Sequence, residues 1–296
     1  LRQRGSDRPF FLFAGHIATH SPWRGHPERL VEQYRGSDFA DITRGPVYSH
    51  ARLRDESTDR HRRDEERAQY YASASHIDEG VGRVIDELEA LGLRENTLVV
   101  YVSDHGLMCG QHGIWGKGNG TRPLNMLEES IRIPMIFNFP GQLMQGQERS
   151  EFVDHCDLFE TLLDFAGVEY SGDRSRPGRS FKEMLTDARP PLDWKRAQFG
   201  EYGDLRMIRT QRHKLVRRYP DGPQELYDLL NDPGETRSDY DLPEAQSIVA
   251  QLDAQLDDFF AHLKATLDGD PDPNACPSGH DDPKGPLTIA DVLAYL

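Results

Sequence analysis

Thr97-Leu98-Val99-Val100-Tyr101-Val102 is a short β-branched and aromatic run, and it ends on Ser103-Asp104-His105-Gly106. A run of this length and make-up reads as a buried strand. Before it, Ala68, Tyr71, Ser75, Ile77, Val81, Val84, Leu88 and Leu91 recur near helical spacing, and Gly92 supplies a stop, so residues 64–91 read as a helix. Helix followed directly by strand is the repeating unit of a doubly wound α/β sheet. A carboxylate and an imidazole therefore fall at the carboxyl end of a strand, where ligand sites form in open α/β sheets. Gly-rich, polar sequence carrying His112 and Lys117 comes next. Two candidate metal ligands followed by a lysine point to a centre that binds an anion with the help of a cation.

The rest of the chain divides in two. Residues 9–15 read as a core strand leading into a His-containing loop, and residues 24–63 as charged loop with short helices. A further strand is expected at 131–137, with Pro134 marking an edge or a bulge. Asp157 with Glu160 resembles a capping box opening a helix at 158–166, with Gly167 as C-cap, and Ser180 with Glu183 gives the same signal for a short helix. After about residue 190, short strand-like runs at 197–201, 206–210, 214–218 and 225–229 follow one another, with Pro220-Asp221-Gly222 as turn chemistry. An amphipathic helix carries Ile248, Leu252, Leu256, Phe259, Leu263 and Leu267 on one stripe. The expected organisation is an α/β unit over 1–190, an antiparallel sheet plus helix over 191–267, and a flexible tail over 268–296. No internal repeat is visible.

With 296 residues, a formal net charge of −15 and a pI near 5.2, the chain is a poor candidate for broad phosphate-backbone binding, so no nucleic-acid partner is expected. No apolar run approaches the roughly 18 residues of a membrane span. Cys109, Cys156 and Cys276 are scattered, which indicates neither a zinc site nor a disulfide framework. Cys109 reads as a small packed residue, His16 and His26 as structural or exposed, and the arginine-rich stretch 52–67 as a solvated face. The chain opens at Leu1 without a methionine, so a fragment is expected and the compartment stays open.

Alone, Asp104-His105-Gly106 is also what a strand-ending turn looks like. In company it is more. Residues 9–23, then Ser103-Asp104-His105-Gly106 through His112-Gly113-Ile114-Trp115-Gly116-Lys117-Gly118-Asn119-Gly120-Thr121, then Glu129-Ser130-Ile131-Arg132-Ile133-Pro134, then Glu225-Leu226-Tyr227-Asp228-Leu229 and Asn231-Asp232-Pro233 resemble, in order, the sulfatases of the alkaline phosphatase superfamily. That resemblance implies an alkaline-phosphatase-like doubly wound sheet with its N-terminal part missing, followed by a smaller C-terminal α+β domain. It implies a sulfuric ester hydrolase acting on a sulfated small molecule or carbohydrate. Asp104 and His105 match ligands of one divalent metal. A carboxylate suits Ca²⁺ or Mg²⁺, and the imidazole opens the alternative of Mn²⁺. Lys117 matches the lysine on the sulfate group, His20 the histidine on the leaving-group side, and His112 would line the substrate pocket.

The family's nucleophile is a formylglycine made in a Cys/Ser-x-Pro-x-Arg motif far upstream of these segments. It is expected in the parent protein and absent from this chain. Cys276-Pro277-Ser278-Gly279 lacks the spacing and the arginine. The chain is thus expected to be the later half of an enzyme whose partner is its own missing N-terminal portion, with open sheet edges and uncovered apolar faces. Two rival readings stand beside this one: a phosphonate or phosphodiester hydrolase of the same superfamily, and a non-catalytic binding or structural remnant.

Overall fold

A computed structural model describes residues 1–2, 8–42, 46–52, 60–169, 177–187 and 190–266. The tail expected at 268–296, and Leu267 of the helical stripe, lie outside the described residues. In chain order the elements are α1 (Glu28–Val31), α2 (Arg60–Ala90), β1 (Val99–Val102), β2 (Met108–Cys109), β3 (Trp115–Gly116), α3 (Glu128–Ile131), β4 (Met135–Asn138), α4 (His155–Ala166), α5 (Lys182–Thr186), β5 (Ala197–Tyr202), β6 (Leu205–Thr210), β7 (His213–Arg218), β8 (Glu225–Asp228) and α6 (Gln246–Thr266).

The helix and strand before the Asp-His pair form as expected. α2 stops at Gly92, whose φ of 64° is the left-handed geometry glycine adopts cheaply. β1 pairs antiparallel with β4, from Val99 opposite Asn138 to Val102 opposite Met135. Only the second half of the run 131–137 is strand. Ile131 closes the short helix α3, and β4 begins just past Pro134, which has no N–H to give a ladder. Met135 and Phe137 turn inward onto Phe181, Met184 and Trp194, while Ile136 points out at 58% exposure.

Residues 9–15 do not form the expected strand. They run without regular structure, with Phe11 and Phe13 exposed. A strand needs a neighbour to take its backbone hydrogen bonds, and among the described residues none pairs with this one. The capping box at α4 is also displaced by three residues. Asp154 caps, accepting from the Cys156 and Asp157 amides, and Asp157 closes the box on the Asp154 amide, so the helix opens at His155. Gly167 is the left-handed C-cap as expected. Ser180 makes no box with Glu183; its hydroxyl donates to Asp164 Oδ2 at 2.7 Å.

The stretch 52–67 is not simply a solvated face. Arg63 and Arg67 are buried, with their guanidinium carbons 5.1 and 5.4 Å from the centroid of the Trp115 ring. Arg67 Nε donates to the Cys109 carbonyl at 3.0 Å. Stacking on an indole and pairing with Glu66 and Asp64 one turn away satisfy charges that composition alone assigns to water.

β5, β6, β7 and β8 form an antiparallel sheet in that order. Side chains alternate across it. Ile208, Leu215 and Leu226 face Val249, Leu252, Leu256 and Phe260 of α6, while Leu205, Met207 and Val216 pack on Leu124 and Met126. The second face thus supports the loop that follows Lys117. Two buried cations fasten that contact. Lys214 Nζ reaches the Met126 carbonyl at 2.8 Å, Glu128 at 2.8 Å and Glu235 at 2.6 Å. Arg218 donates to the Leu124 and Pro223 carbonyls at 2.8 and 2.7 Å, and pairs with Glu225 at 2.9 Å. Among the described residues no helix is long and apolar enough to cross a membrane.

Lys214→Met removes a charge whose acceptors stay behind, with Glu235 and Met126 buried and Glu128 partly buried. It should lower unfolding stability by about 3–5 kcal/mol, the usual loss when one partner of a buried pair is deleted. Urea unfolding at neutral pH measures this, and a loss below about 1 kcal/mol, the scale of an exposed pair, would show that the cluster is not shielded from water.

Candidate active site

The turn after β1 is built by its own side chains. Ser103 Oγ donates to the His105 carbonyl at 2.8 Å, and the His105 amide donates to Asp104 Oδ1 at 3.0 Å. His105 Nδ1 lies 2.9 Å from the Gly106 carbonyl. A carbonyl only accepts, so Nδ1 carries the proton and Nε2 presents a lone pair. Lys117 Nζ sits 2.6 Å from that Nε2, and Asp104 Oδ2 lies 3.5 Å from it. The structure therefore brings Asp104, His105 and Lys117 together. Burial pushes the Lys117 ammonium below its ordinary pKa, with Asp104 opposing. Burial pushes the Asp104 carboxyl up, but His105, the backbone amides and Lys117 outweigh it and leave it below its ordinary value.

Neighbouring segments hold the turn. The Gly106 amide donates to the Ser130 carbonyl at 2.9 Å, and a Cβ at Gly106 would come 2.0 Å from the Glu129 carbonyl oxygen. Only glycine lets α3 approach so closely. His155, the first residue of α4, places Nε2 2.8 Å from the Ser103 carbonyl. Neither His155 nor Glu129 was assigned a role from sequence. The Asp154–Asp157 spacing was the available sign that α4 starts early enough to bring His155 here.

The other two expected site residues are placed differently. His112 is 4% exposed, sits at φ 56° between Gly110 and Gly113, and has Nε2 3.3 Å from Glu129 Oε2. It does not line an open pocket in this structure. His20 is exposed, and among the described residues its ring bonds within its own turn, with Nδ1 3.0 and 3.3 Å from the Ser21 carbonyl and hydroxyl. That loop is anchored near the site by Trp23, whose Nε1 donates to the Thr19 carbonyl and whose ring meets Trp115 at 5.1 Å between centroids.

The donor set fits a divalent cation in part. An exposed carboxylate and an imidazole whose Nε2 lone pair meets Lys117 are two suitable ligands once the lysine moves away. Two do not fill a shell of six to eight oxygens, and among the described residues no group of three or more His, Cys, Asp or Glu is gathered to hold a metal. Ser175-Arg176-Pro177-Gly178-Arg179 does spell Ser-x-Pro-x-Arg, contrary to the expectation that this chain lacks the pattern. It follows the Asp104-His105 pair instead of preceding it. Ser175 lies outside the described residues, and Arg179 braces α4, its amide donating to Asp157 Oδ1 at 2.9 Å and its guanidinium pairing with Asp193.

Comparison with known proteins agrees with this architecture, an α/β fold of the alkaline phosphatase superfamily with a C-terminal antiparallel sheet and helix. A family model for sulfatases matches residues 1–168, and one for the C-terminal region of N-sulphoglucosamine sulphohydrolase matches 110–262. This chain belongs to the sulfatase family. It is 33% identical over 214 residues to an N-acetylglucosamine-6-O-sulfatase of Bacteroides thetaiotaomicron, covering 69% of this chain and 36% of that protein. Among solved structures it resembles one in complex with its substrate D-glucosamine-2-N,6-O-disulfate, at 31% identity and a TM-score of 0.63, covering 72% of this chain and 43% of the other. A phosphonate monoester hydrolase from Silicibacter pomeroyi is also similar, at 27% identity and a TM-score of 0.61, covering 70% and 42%. The chain spans 36–50% of the length of the first curated relatives it matches.

Two outcomes follow from the packing of this turn. Gly106→Ala should cost about 1–3 kcal/mol of stability, the range for forced overpacking, read by urea unfolding; an unchanged midpoint would mean that α3 yields freely. For Glu129, burial pushes the carboxyl up, but the hydrogen bond and charge of His112 hold it below its ordinary value of 4.5. A depressed carboxyl pKa stabilises the fold above that ordinary value and ceases to do so as pH falls through the folded-state value. The melting-temperature gap between wild type and Glu129→Gln should thus persist from neutral pH down to 4.5 and close below it. A gap that widens in acid contradicts the sign.

Proposed function

We propose that the whole protein hydrolyses a sulfate ester and that this chain contributes the Asp104–His105–Lys117 part of its active site. The single observation carrying this is the 2.6 Å contact of Lys117 Nζ with His105 Nε2, beside Asp104, at the carboxyl end of β1. The domain division fits the same picture, with the α/β catalytic unit over 1–190 and the sheet and helix that follow it, through residue 266, as its support.

Sulfuryl transfer to water resembles phosphoryl transfer in resting on positioning and charge stabilisation. Asp104 and His105 would hold a divalent cation, calcium by the carboxylate's preference, with manganese or magnesium as alternatives. When bound, it supplies positive charge to the transferring oxygens. Lys117, no longer engaged with the His105 lone pair, turns its ammonium to a sulfate oxygen and offsets charge there. Partial burial strengthens that interaction and keeps water from competing for it. His20, exposed on a loop anchored beside Trp115, is the proton donor to the departing alcohol. The nucleophile, a formylglycine in this family, comes from elsewhere in the whole protein. The substrate class is a sulfated sugar, supported by the similarity to the glucosamine-sulfate enzymes.

The phosphonate-hydrolase likeness favours a second reading, cleavage of a phosphonate or phosphodiester at the same site. Turnover of aryl sulfate, aryl phosphonate and phosphodiester by the whole protein separates the two. Lys117→Ala should lower aryl sulfate kcat by about 10²–10³-fold, the cost of one lost charge-stabilising donor. Chelation should abolish turnover and added Ca²⁺ should restore it. Wild-type turnover by Lys117→Ala would remove the lysine from the mechanism. A protein that binds sulfated sugar without turning over any ester would be the non-catalytic module.

A further inference from the structure

We infer that His112 and Glu129 form a positioning pair that sets the distance between Lys117 and the Asp104–His105 turn. This rests on the anion site proposed above and assigns no contact with substrate to either residue. Glu129 touches both sides of that site. Through its backbone, α3 lies against the turn, with the Glu129 carbonyl oxygen 2.0 Å from where a Gly106 Cβ would stand and the Ser130 carbonyl accepting from the Gly106 amide. Through its carboxylate it holds His112 at 3.3 Å.

His112 lies in the loop joining β2 to β3, and β3 leads straight into Lys117. The hairpin therefore enters the site on one rail and the turn on another, and Glu129 is the residue they share. The conformation of His112 supports a dedicated role. A left-handed φ of 56° at a residue other than glycine is uncommon and persists where surroundings impose it. Here the surroundings include the Glu129 carboxylate, the Tyr48 ring at 6.4 Å, and a hydrogen bond from the Tyr48 amide to the His112 carbonyl at 2.9 Å. A ring only 4% exposed cannot reach a ligand without opening the hairpin. Its contribution passes through backbone geometry to Lys117. A displacement of about 1 Å at a reacting centre is enough to cost about 100-fold in rate.

The test uses the whole protein with an aryl sulfate and reports kcat per folded molecule, the folded fraction being read by thermal melting. Glu129→Ala and His112→Asn (asparagine tolerates the left-handed backbone but cannot reach Glu129) should each lower kcat by about 10–100-fold with KM changed far less. The double variant should be no slower than the worse single, because the two act as one unit. Glu129→Gln, whose amide oxygen still accepts from His112, should recover most of the loss. Wild-type kcat in either single variant, losses that multiply in the double, or failure of Glu129→Gln to recover activity would each overturn the inference. If Glu129→Ala does not fold, a folded His112→Asn with wild-type kcat overturns it alone. Lys117→Ala, run alongside, separates the two failures. Undiminished turnover there sinks the proposed site, while an inactive Lys117→Ala beside fully active pair variants sinks only the positioning role.

Discussion

The buried Lys214 is the interaction on which the remainder of the structure depends. An ammonium with no exposed surface is costly unless its donors are all occupied, and here a carbonyl and two carboxylates occupy them. Those acceptors come from the segment after Lys117 and from Glu235 beyond β8. Glu235 in turn accepts from the Glu128 amide at 2.6 Å, the first residue of α3. The C-terminal sheet is thereby locked to the start of the short helix whose next residue, Glu129, braces the candidate site. Arg218 repeats the device on the Leu124 carbonyl and reaches Tyr48, whose hydroxyl donates to Glu225. What resembles an accessory sheet is the bed on which the site's loops rest.

This arrangement explains which parts of the fold could be read from sequence. The four strands β5–β8 and helix α6 announce themselves by alternation and by a helical stripe, because each buries one face against a partner within the same stretch of chain. Gly92 and Gly167 mark helix ends for a purely local reason, the left-handed backbone. Lys214, Arg63 and Arg67 could not be read the same way. A lysine or arginine looks solvated until the groups that bury it are known, and Met126, Glu128 and Glu235 around Lys214 and Trp115 against Arg63 and Arg67 lie far along the chain. Residues 9–15 failed in the opposite direction: their apolar and aromatic character is that of a strand, but a strand is a relationship between two segments, and the second is not among the described residues.

The site itself was legible to the same degree. Asp104, His105 and Lys117 could be grouped because the strand before them fixes where a turn must fall, and because the motifs that carry them resemble those of sulfatases in order. His112 reads as a pocket residue from sequence because it stands beside a ligand motif, and the structure places it buried against Glu129. Its burial depends on Glu129, which the sequence places in a separate segment. The supporting residues of a site carry no local signal of their own. They are recognised by what they hold.

Preorganisation gives this support its purpose. The Ser103 carbonyl is held by His155, the His105 carbonyl by Ser103 Oγ, the Gly106 carbonyl by His105 Nδ1, and the Gly106 amide by the Ser130 carbonyl. Those backbone groups are already engaged, so they need not reorganise when a ligand arrives. The groups that remain to meet one are Asp104 Oδ2, the lone pair on His105 Nε2, and the Lys117 ammonium now resting on it. That division matches what charge stabilisation requires. Fixed dipoles set the frame at folding, and side chains able to exchange one partner for another are left to meet the proposed ligand. A lysine that rests on an imidazole lone pair keeps both polar groups satisfied, and in the proposed function a cation and an anion would release them together.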